Sequence, residues 1–440
     1  MRKPLIYIIF LIHHSLFTIH IFAQQTEKVY LSGTGSDKTV NWEFMCTGGM
    51  NANKWTTIPV PSCWELQGFG KYDYGFAKDS VRGKEKGLYK YSFDAPLTWK
   101  NKAINIVFEG VMTDVEVKIN GELAGDHQGA FYAFKCYNIN KLLKYGEKNL
   151  LEVTISKHSA NESVNAAERK GDYWIFGGIF RPVWLEILPI SHIGRIAINA
   201  TATGNFLANV EIRDAVHFDH DLIGYSIKTQ IFEPGTNKMI ANFDSKGSRV
   251  IEIEKSIAGV KTWSAEFPIL YKVVFTLYIK GRTQHIVERK LGFRTVEVKQ
   301  RDGIYINGVK VKMKGVNRHS FRPETGRTMS KQNSIEDVLL MKDMNMNAVR
   351  MSHYPPDDHF LDVCDSLGLF VMDELAGWHG YYDTKTGTKL LKEMIDHDVN
   401  HPSIVIWANG NEGGHNLELD SLFTQYDIQK RPVVHPWQLF

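Results

Sequence analysis

The chain has 440 residues, 43% of them hydrophobic and 12% aromatic, which supplies apolar material for several packed cores and exceeds what one core holds. Fifty-two basic residues against 49 acidic ones leave a formal charge of only +3. No Lys/Arg stripe interleaved with aromatic residues runs along the sequence, so no nucleic-acid partner is expected, and disordered and fibrous classes are excluded as well.

The first residues read as an address. Arg2 and Lys3 precede an apolar run over residues 5–12, and IHIFAQQ offers Ala23 as a cleavage point. Residues 1–23 are therefore expected to be a signal peptide and the mature chain to be secreted or periplasmic. No membrane anchor is expected, because His13, His14 and His20 interrupt a span that would need ~20 predominantly apolar residues. Cys46, Cys63, Cys136 and Cys364 are too scattered for a disulfide framework or a zinc site and read as buried small hydrophobes.

Residues 24–190 show short alternating segments such as DVEVKING (114–121) and NLLEVTIS (149–156), separated by turn signals at Asn120-Gly121 and Tyr145-Gly146. This predicts a two-sheet β-sandwich. A second β-rich run over 191–298, including NVEIRDAV, SIKTQIFEP and KVVFTLYIKG, has the length of an immunoglobulin-like sandwich. From residue 299 the period changes. Strand VKMKGVN is followed by helix SIEDVLLMKDMN, with Ser334 as its N-cap and Asp337 three residues on. Strand NAVRMS then leads to helix DDHFLDVCDSLG, strand LFVMDE to helix TKLLKEMIDHDVN, and strand IVIWAN to a helix near 417–426. This alternation implies a parallel sheet: the N-terminal part of a (β/α)₈ barrel is the first choice and a flavodoxin-like open sheet the second.

In a barrel the loops after the strand C-termini build the active site. Four polar strand ends qualify: Asn317-Arg318-His319, Arg350 through Tyr354, Asp373-Glu374, and Asn409 through Glu412. Charges gathered on one face need partners. Arg350 and Asp373 are equally readable as a buried ion pair, and His319 and His353, taken singly, as satisfied polar residues. Glu412 sits among Gly410, Gly413 and Gly414, whose missing side chains permit close backbone approach, and this context suits a substrate pocket.

GVNRHSFRPETGR, NAVRMSHYP, VMDE and HPSIVIWANGNE together closely resemble the family 2 glycoside hydrolases, the group of β-galactosidases, β-glucuronidases and β-mannosidases. Upstream, PSCWELQGFGKYDY, FEGVMTDVEVKINGELAGDHQGAF and DYWIFGGIFRPVWLEI resemble that family's sugar-binding jelly roll, which an immunoglobulin-like domain follows. The resemblance implies a jelly roll over 24–190, an immunoglobulin-like sandwich over 191–298 and the start of the catalytic TIM barrel over 299–440. It implies Glu412 as general acid/base and Asn411 as the ligand of the sugar 2-hydroxyl. His319, Arg350 and His353 match pocket positions, and Asp172 matches an acidic residue that the jelly roll lends to the pocket. The implied activity is exo-acting, retaining hydrolysis of terminal β-linked sugars, β-galactosides first and β-glucuronides as the alternative substrate. Carbohydrate is the expected partner. A wall including Trp407 is expected to raise the Glu412 pKa. No cofactor is expected: His379 matches one Mg²⁺ ligand of the galactosidase branch, but Gly377 stands where that branch has a Glu. The resemblance puts the nucleophilic Glu on strand seven, whereas residues 299–440 are little more than half of the ~250 a full barrel takes. The sequence thus reads as a fragment or a shortened gene product lacking its nucleophile and not expected to turn over alone, with Glu374 a poor substitute. A non-catalytic carbohydrate-binding protein is the competing expectation.

Overall fold

The computed structural model describes residues 25–76, 84–214 and 224–436; the signal segment expected over 1–23 lies outside them. The N-terminal sandwich sets a six-stranded sheet, in the order Thr56–Val60, Val40–Cys46, Lys86–Asp94, Lys148–Ser156, Asp114–Ile119 and Glu122–Gln128, against a four-stranded one, in the order Glu27–Tyr30, Val183–Leu188, Ala103–Phe108 and Phe134–Cys136. Alternation explains the packing: Leu151, Val153 and Ile155 point inward from Lys148–Ser156 and join Trp42, Phe44, Tyr89 and Phe108 in one core. Asn120 and Gly121, with φ of 53° and 84°, form the two-residue hairpin read from the sequence. All four cysteines are buried and free.

The second sandwich packs a three-stranded sheet (Ser191–Ala200, Asn205–Asp214, Val250–Ser256) on a four-stranded one (Met239–Gly247, Tyr225–Phe232, Tyr271–Ile279, Arg282–Leu291) around Phe206, Val210, Ile227 and Phe275. An unexpected three-stranded antiparallel sheet follows: Val296–Lys299, Gly303–Ile306 and Val309–Val311. The strand expected over 311–317 is thereby split, its beginning belonging to this small sheet. Ile306 packs with Ala348, Phe370 and Val405 and so covers the N-terminal ends of the barrel strands.

Within the C-terminal unit the elements are β1 (Gly315–Arg318), α1 (Lys331–Asp343), β2 (Ala348–Met351), α2 (Asp358–Leu367), β3 (Phe370–Trp378), α3 (Thr384–Asp398), β4 (Ile404–Asn411), α4 (Asp420–Tyr426) and β5 (Val433–Val434). The strands are all parallel and pair in the order β1-β2-β3-β4-β5. Each new strand joins the same edge, as in a barrel; a flavodoxin-like sheet reverses its order at a switch point. One cap moves. Helix α1 is capped by Ser330, not Ser334, because Ser330 and Asn333 close a reciprocal capping box one turn earlier, and Ser334 instead hydrogen-bonds His359 Nδ1 at 2.8 Å. Among the described residues no helix is long and apolar enough to cross a membrane.

The jelly roll and barrel share a core: Met112, Phe131, Phe176 and Phe180 of the first pack with Leu361, Leu375, Leu390 and Trp407 of the second. Buried Arg181 crosses this junction, donating to Asp357 Oδ1 (3.1 Å), Phe131 O (3.0 Å) and Pro355 O (2.8 Å). Tyr132 OH lies 3.1 Å from Tyr382 OH and accepts from Ala376 N. Strand β4 is anchored on its outer side. His401 Nδ1 lies 2.6 Å from Asp365 Oδ2, Asp365 Oδ1 accepts from Ser403 N, and Trp407 donates to Asp427 under the Arg431 guanidinium.

Candidate active site

Strand β4 is buried along its whole length, and its backbone breaks at the end, with φ of 69° at Gly410 and 48° at Glu412. A Cβ at Gly410 would stand 1.9 Å from Gly414 O, so the close turn requires glycine there. The turn delivers Glu412 to the end of β3. Trp378 donates its indole N–H to Glu412 Oε2 at 2.8 Å. His379 reaches the same residue twice, Nε2 lying 3.2 Å from Oε2 and Nδ1 lying 2.8 Å from the main-chain oxygen. The Glu412 side chain keeps 36% of its surface exposed, enough for a ligand to reach it.

Arg350, at the end of β2, organises the floor. Its Nε donates to Glu374 Oε2 (2.7 Å), and its terminal nitrogen to Glu374 Oε1 (3.0 Å) and Asn411 Oδ1 (2.8 Å). His353 Nδ1 lies 3.1 Å from Glu374 Oε1. Burial pushes the Glu374 pKa up to about 8 against the pull of Arg350, yet the fork of two N–H donors on two oxygens is the geometry of an ionised carboxylate. Burial first, and then the charge of Arg350 or Arg327, holds His353 and His319 down at about 3, so both rings are neutral around pH 7. His353 meets the Trp378 ring edge-on at 4.5 Å, and His319 lies 3.3 Å from Tyr354 OH. With its oxygen fixed by Arg350, Asn411 has a buried amide nitrogen, Nδ2, without a hydrogen-bond partner among the described residues.

His319, Arg350, His353, Asn411 and Glu412 are thus brought together. Asp172 stands at the rim: exposed, it accepts a hydrogen bond from Tyr74 OH, and its neighbour Tyr173 packs on Trp378 at 5.6 Å. Two expectations are corrected by strand parity. Arg350 pairs with Glu374 rather than Asp373, because adjacent residues face opposite sides of β3; Asp373 turns outward to Asp398, and burial first, then that neighbour's charge, raises its pKa well up. Trp407 likewise faces Asp427 and not the pocket, whose wall against Glu412 is Trp378. The sequence reading gave Trp378 no role, His379 only that of a metal ligand, and Glu374 that of a poor substitute for the nucleophile. The signal was the Trp-His pair directly after the third strand.

The galactosidase-type Mg²⁺ site does not fit these residues. A Cβ at Gly377 would stand 2.0 Å from Gly414 O, so no carboxylate side chain can occupy that position, and both His379 nitrogens are engaged by Glu412. Elsewhere among the described residues, ligand-type atoms gather at Asp358, His397 and Asp398 and at Asp362, Asp365 and His401, where the imidazoles already pair with aspartates.

Two β-sandwiches thus stand ahead of the first five parallel strands of a (β/α) barrel, with the Glu412 carboxylate held just past the end of the fourth. The sugar-binding domain of glycosyl hydrolases family 2 matches residues 45–189, the domain described simply as glycosyl hydrolases family 2 matches 191–294, and the family's TIM barrel domain matches 296–389 and 382–434. The chain belongs to glycoside hydrolase family 2. It is 31% identical over 411 residues to a β-galactosidase of Priestia megaterium, covering 83% of this chain and 39% of that protein. It is 32% identical over 339 residues to a β-galactosidase of Thermoanaerobacter pseudethanolicus, covering 73% and 44%. The chain therefore spans less than half the length of these relatives. The fold is that of Bacteroides uniformis β-glucuronidase, at a TM-score of 0.77 and 22% identity, covering 93% of this chain and 52% of that one. A β-glycosidase from Bacteroides vulgatus gives a TM-score of 0.74 at 25% identity, covering 93% and 54%.

Proposed function

We propose that the protein is an exo-acting, retaining β-glycosidase that removes terminal β-linked sugars outside the cytoplasm, with β-galactosides as substrates and β-glucuronides as the alternative. The observation that carries this reading is the Asn411-Glu412 pair. Asn411 presents a buried amide N–H group that meets no partner among the described residues, and an unmet buried donor costs ~1–3 kcal/mol, which a sugar hydroxyl bound there would relieve. A sugar hydroxyl accepting that bond sets the anomeric carbon beside Glu412. With Oε2 held by Trp378, the other oxygen of Glu412 is left to protonate the glycosidic oxygen as the leaving group departs.

Retention requires a second carboxylate ~5–5.5 Å away to form the glycosyl-enzyme, which water then hydrolyses with Glu412 acting as base. Glu374 is ill suited to this role, being fully buried with both oxygens on Arg350. On this reading the nucleophile belongs to a later strand of the complete barrel, and Glu374 holds Arg350 and His353 in place. The β-galactosidases among the relatives support the first choice of sugar. No metal enters the scheme.

Hydrolysis of 4-nitrophenyl β-galactoside and β-glucuronide by the full-length protein tests the sugar. Glu412→Gln tests the acid: turnover of alkyl β-glycosides should collapse while activated aryl glycosides are largely spared, because only poor leaving groups need the proton. Equal loss on both would reject Glu412 as the acid, and binding without turnover would leave a carbohydrate-binding protein. A mature N-terminus just after Ala23 in the exported protein would support the localisation.

A further inference from the structure

A cleft of about 620 Å³ opens where the jelly roll and the immunoglobulin-like sandwich meet helices α2 and α3 of the barrel. It shares no lining residue with the site around Glu412, and His401, which borders it, precedes β4 whereas Glu412 follows that strand. Small-molecule sites typically measure roughly 300–1,000 Å³, so the cleft has room for more than a lone ion. Five carboxylates line it, four of them already paired. Asp358, Asp362 and Asp365 share a face of α2 at i, i+4 and i+7, and lie against His397 (2.9 Å), Lys290 (3.6 Å) and His401 (2.6 Å). On the jelly roll, Lys135 holds Glu186 at 2.8 Å.

Three further cations line the cleft, Lys28 of the jelly roll and Arg213 and Arg289 of the second sandwich, and none of them forms an ion pair among the described residues. Against them stands one carboxylate without an ion pair there, Glu288. Lys28 Nζ lies 4.6 Å from the centre of the Trp184 ring and the Arg213 guanidinium 4.4 Å from that of Tyr137, while Arg289 donates to Glu288 O at 2.9 Å. Ring faces and a main-chain oxygen steady these groups without cancelling their charge. The backbone that carries them is tied as well. His285 Nδ1 accepts from Ile193 N (3.1 Å), so its Nε2 donates to Thr26 Oγ1 (3.0 Å) and joins the segment bearing Lys28 to the strand bearing Arg289. His192 pairs with Arg213 in the sheet. The positive groups are therefore in place before any ligand arrives, which lowers the cost of binding.

We propose that this three-domain cleft is a second ligand site, separate from Glu412, which binds a phosphate or sulfate group, free or carried on a sugar. A tetrahedral oxyanion offers acceptor oxygens in several directions, and the cleft meets them with two guanidinium forks and an ammonium point charge. A single carboxylate would answer fewer of these donors. The remaining volume accommodates whatever carries the anion. Because Lys28 belongs to one sandwich and Arg213 and Arg289 to the other, a bound anion bridges the two domains and stabilises their packing.

Calorimetric titration of the full chain with inorganic phosphate and with glucose 6-phosphate, at constant ionic strength set by NaCl, tests the site. Wild type should bind at least one of the two with a Kd of about 1 mM or tighter, and the Arg213→Gln, Arg289→Gln double variant at least about tenfold more weakly. Arg213→Lys with Arg289→Lys should restore part of the loss, and the urea midpoint in phosphate-free buffer should stay that of wild type. If the double Gln variant is itself unstable, Lys28→Gln alone should show the same weakening in smaller measure. Tighter binding of glucose 6-phosphate assigns a sugar-borne group, and equal affinity assigns the free ion. Absence of binding of either probe overturns the site. So does equal affinity in wild type and the Gln variants, or a rise in Tm with phosphate that is the same in both, since excluded anions stabilise any folded protein without a site.

Discussion

Trp378 and Glu412 lie at the ends of adjacent parallel strands and are joined by one hydrogen bond, indole N–H to carboxylate Oε2 at 2.8 Å. The bond fixes the orientation of the acid at the point where the backbone has left the sheet. Trp378→Phe keeps a ring against His353 and Tyr173 and removes only the donor. A hydrogen bond of this kind is worth about 0.5–1.5 kcal/mol net, so kcat/KM of the full-length enzyme on alkyl glycosides should fall about two- to tenfold with little change in the urea midpoint. An unchanged rate would assign the positioning to His379 alone.

Arg350 supports Glu374 from the neighbouring strand. The Glu374 side chain has no exposed surface and that of Arg350 has 16%. Arg350→Met strands the carboxylate and should cost about 3–5 kcal/mol in urea unfolding, whereas the double change with Glu374→Leu should recover most of it, because replacing a whole buried pair is far cheaper than breaking one. A single-variant cost below about 1 kcal/mol would contradict the pairing as drawn.

His401 gives the stability a pH dependence of definite sign. Burial disfavours its cation, but the charge and hydrogen bond of Asp365 outweigh burial and raise its pKa from 6.5 to about 9. Between those values the folded chain binds more protons than the unfolded one. This contribution is complete below about pH 6.5, declines as pH rises and is gone above about 9, at most about 3 kcal/mol in all. Urea midpoints measured from pH 6 to 9.5 should fall less steeply in His401→Gln than in wild type; parallel curves would exclude the pair as the source.

Gly377 excludes a side chain. Gly377→Ala places a methyl group against Gly414 O and should cost about 1–3 kcal/mol, as overpacking does. Millimolar Mg²⁺ should leave the Tm where EDTA leaves it, since a bound ion would raise it. A clear rise with Mg²⁺ would show that the loop opens to make a site.

The strand ends were legible because parallel βα units place polar residues where apolar strands stop, and the motif from Asn409 to Glu412 stood out by its glycines. What the side chains do there was less legible. Asp373 and Glu374 are adjacent in sequence, and only the register of β3 against β2 and β4 decides which one faces Arg350. The same parity misplaced Trp407. Trp378 was passed over because β3 runs four residues beyond Glu374 through a register shift, in a stretch, AGWHG, that reads as loop.

The junction that Tyr132 and Tyr382 close brings together residues separated by 250 positions in the chain. At roughly 5–20 residues per second, a ribosome needs on the order of 10–50 s to travel from one to the other. During that interval the strands of the jelly roll can already be paired while Met112, Phe131, Phe176 and Phe180 wait for the barrel helices to cover them. Biogenesis therefore leaves a sticky apolar face open for many seconds, long enough for a chaperone to hold it or for two nascent chains to meet.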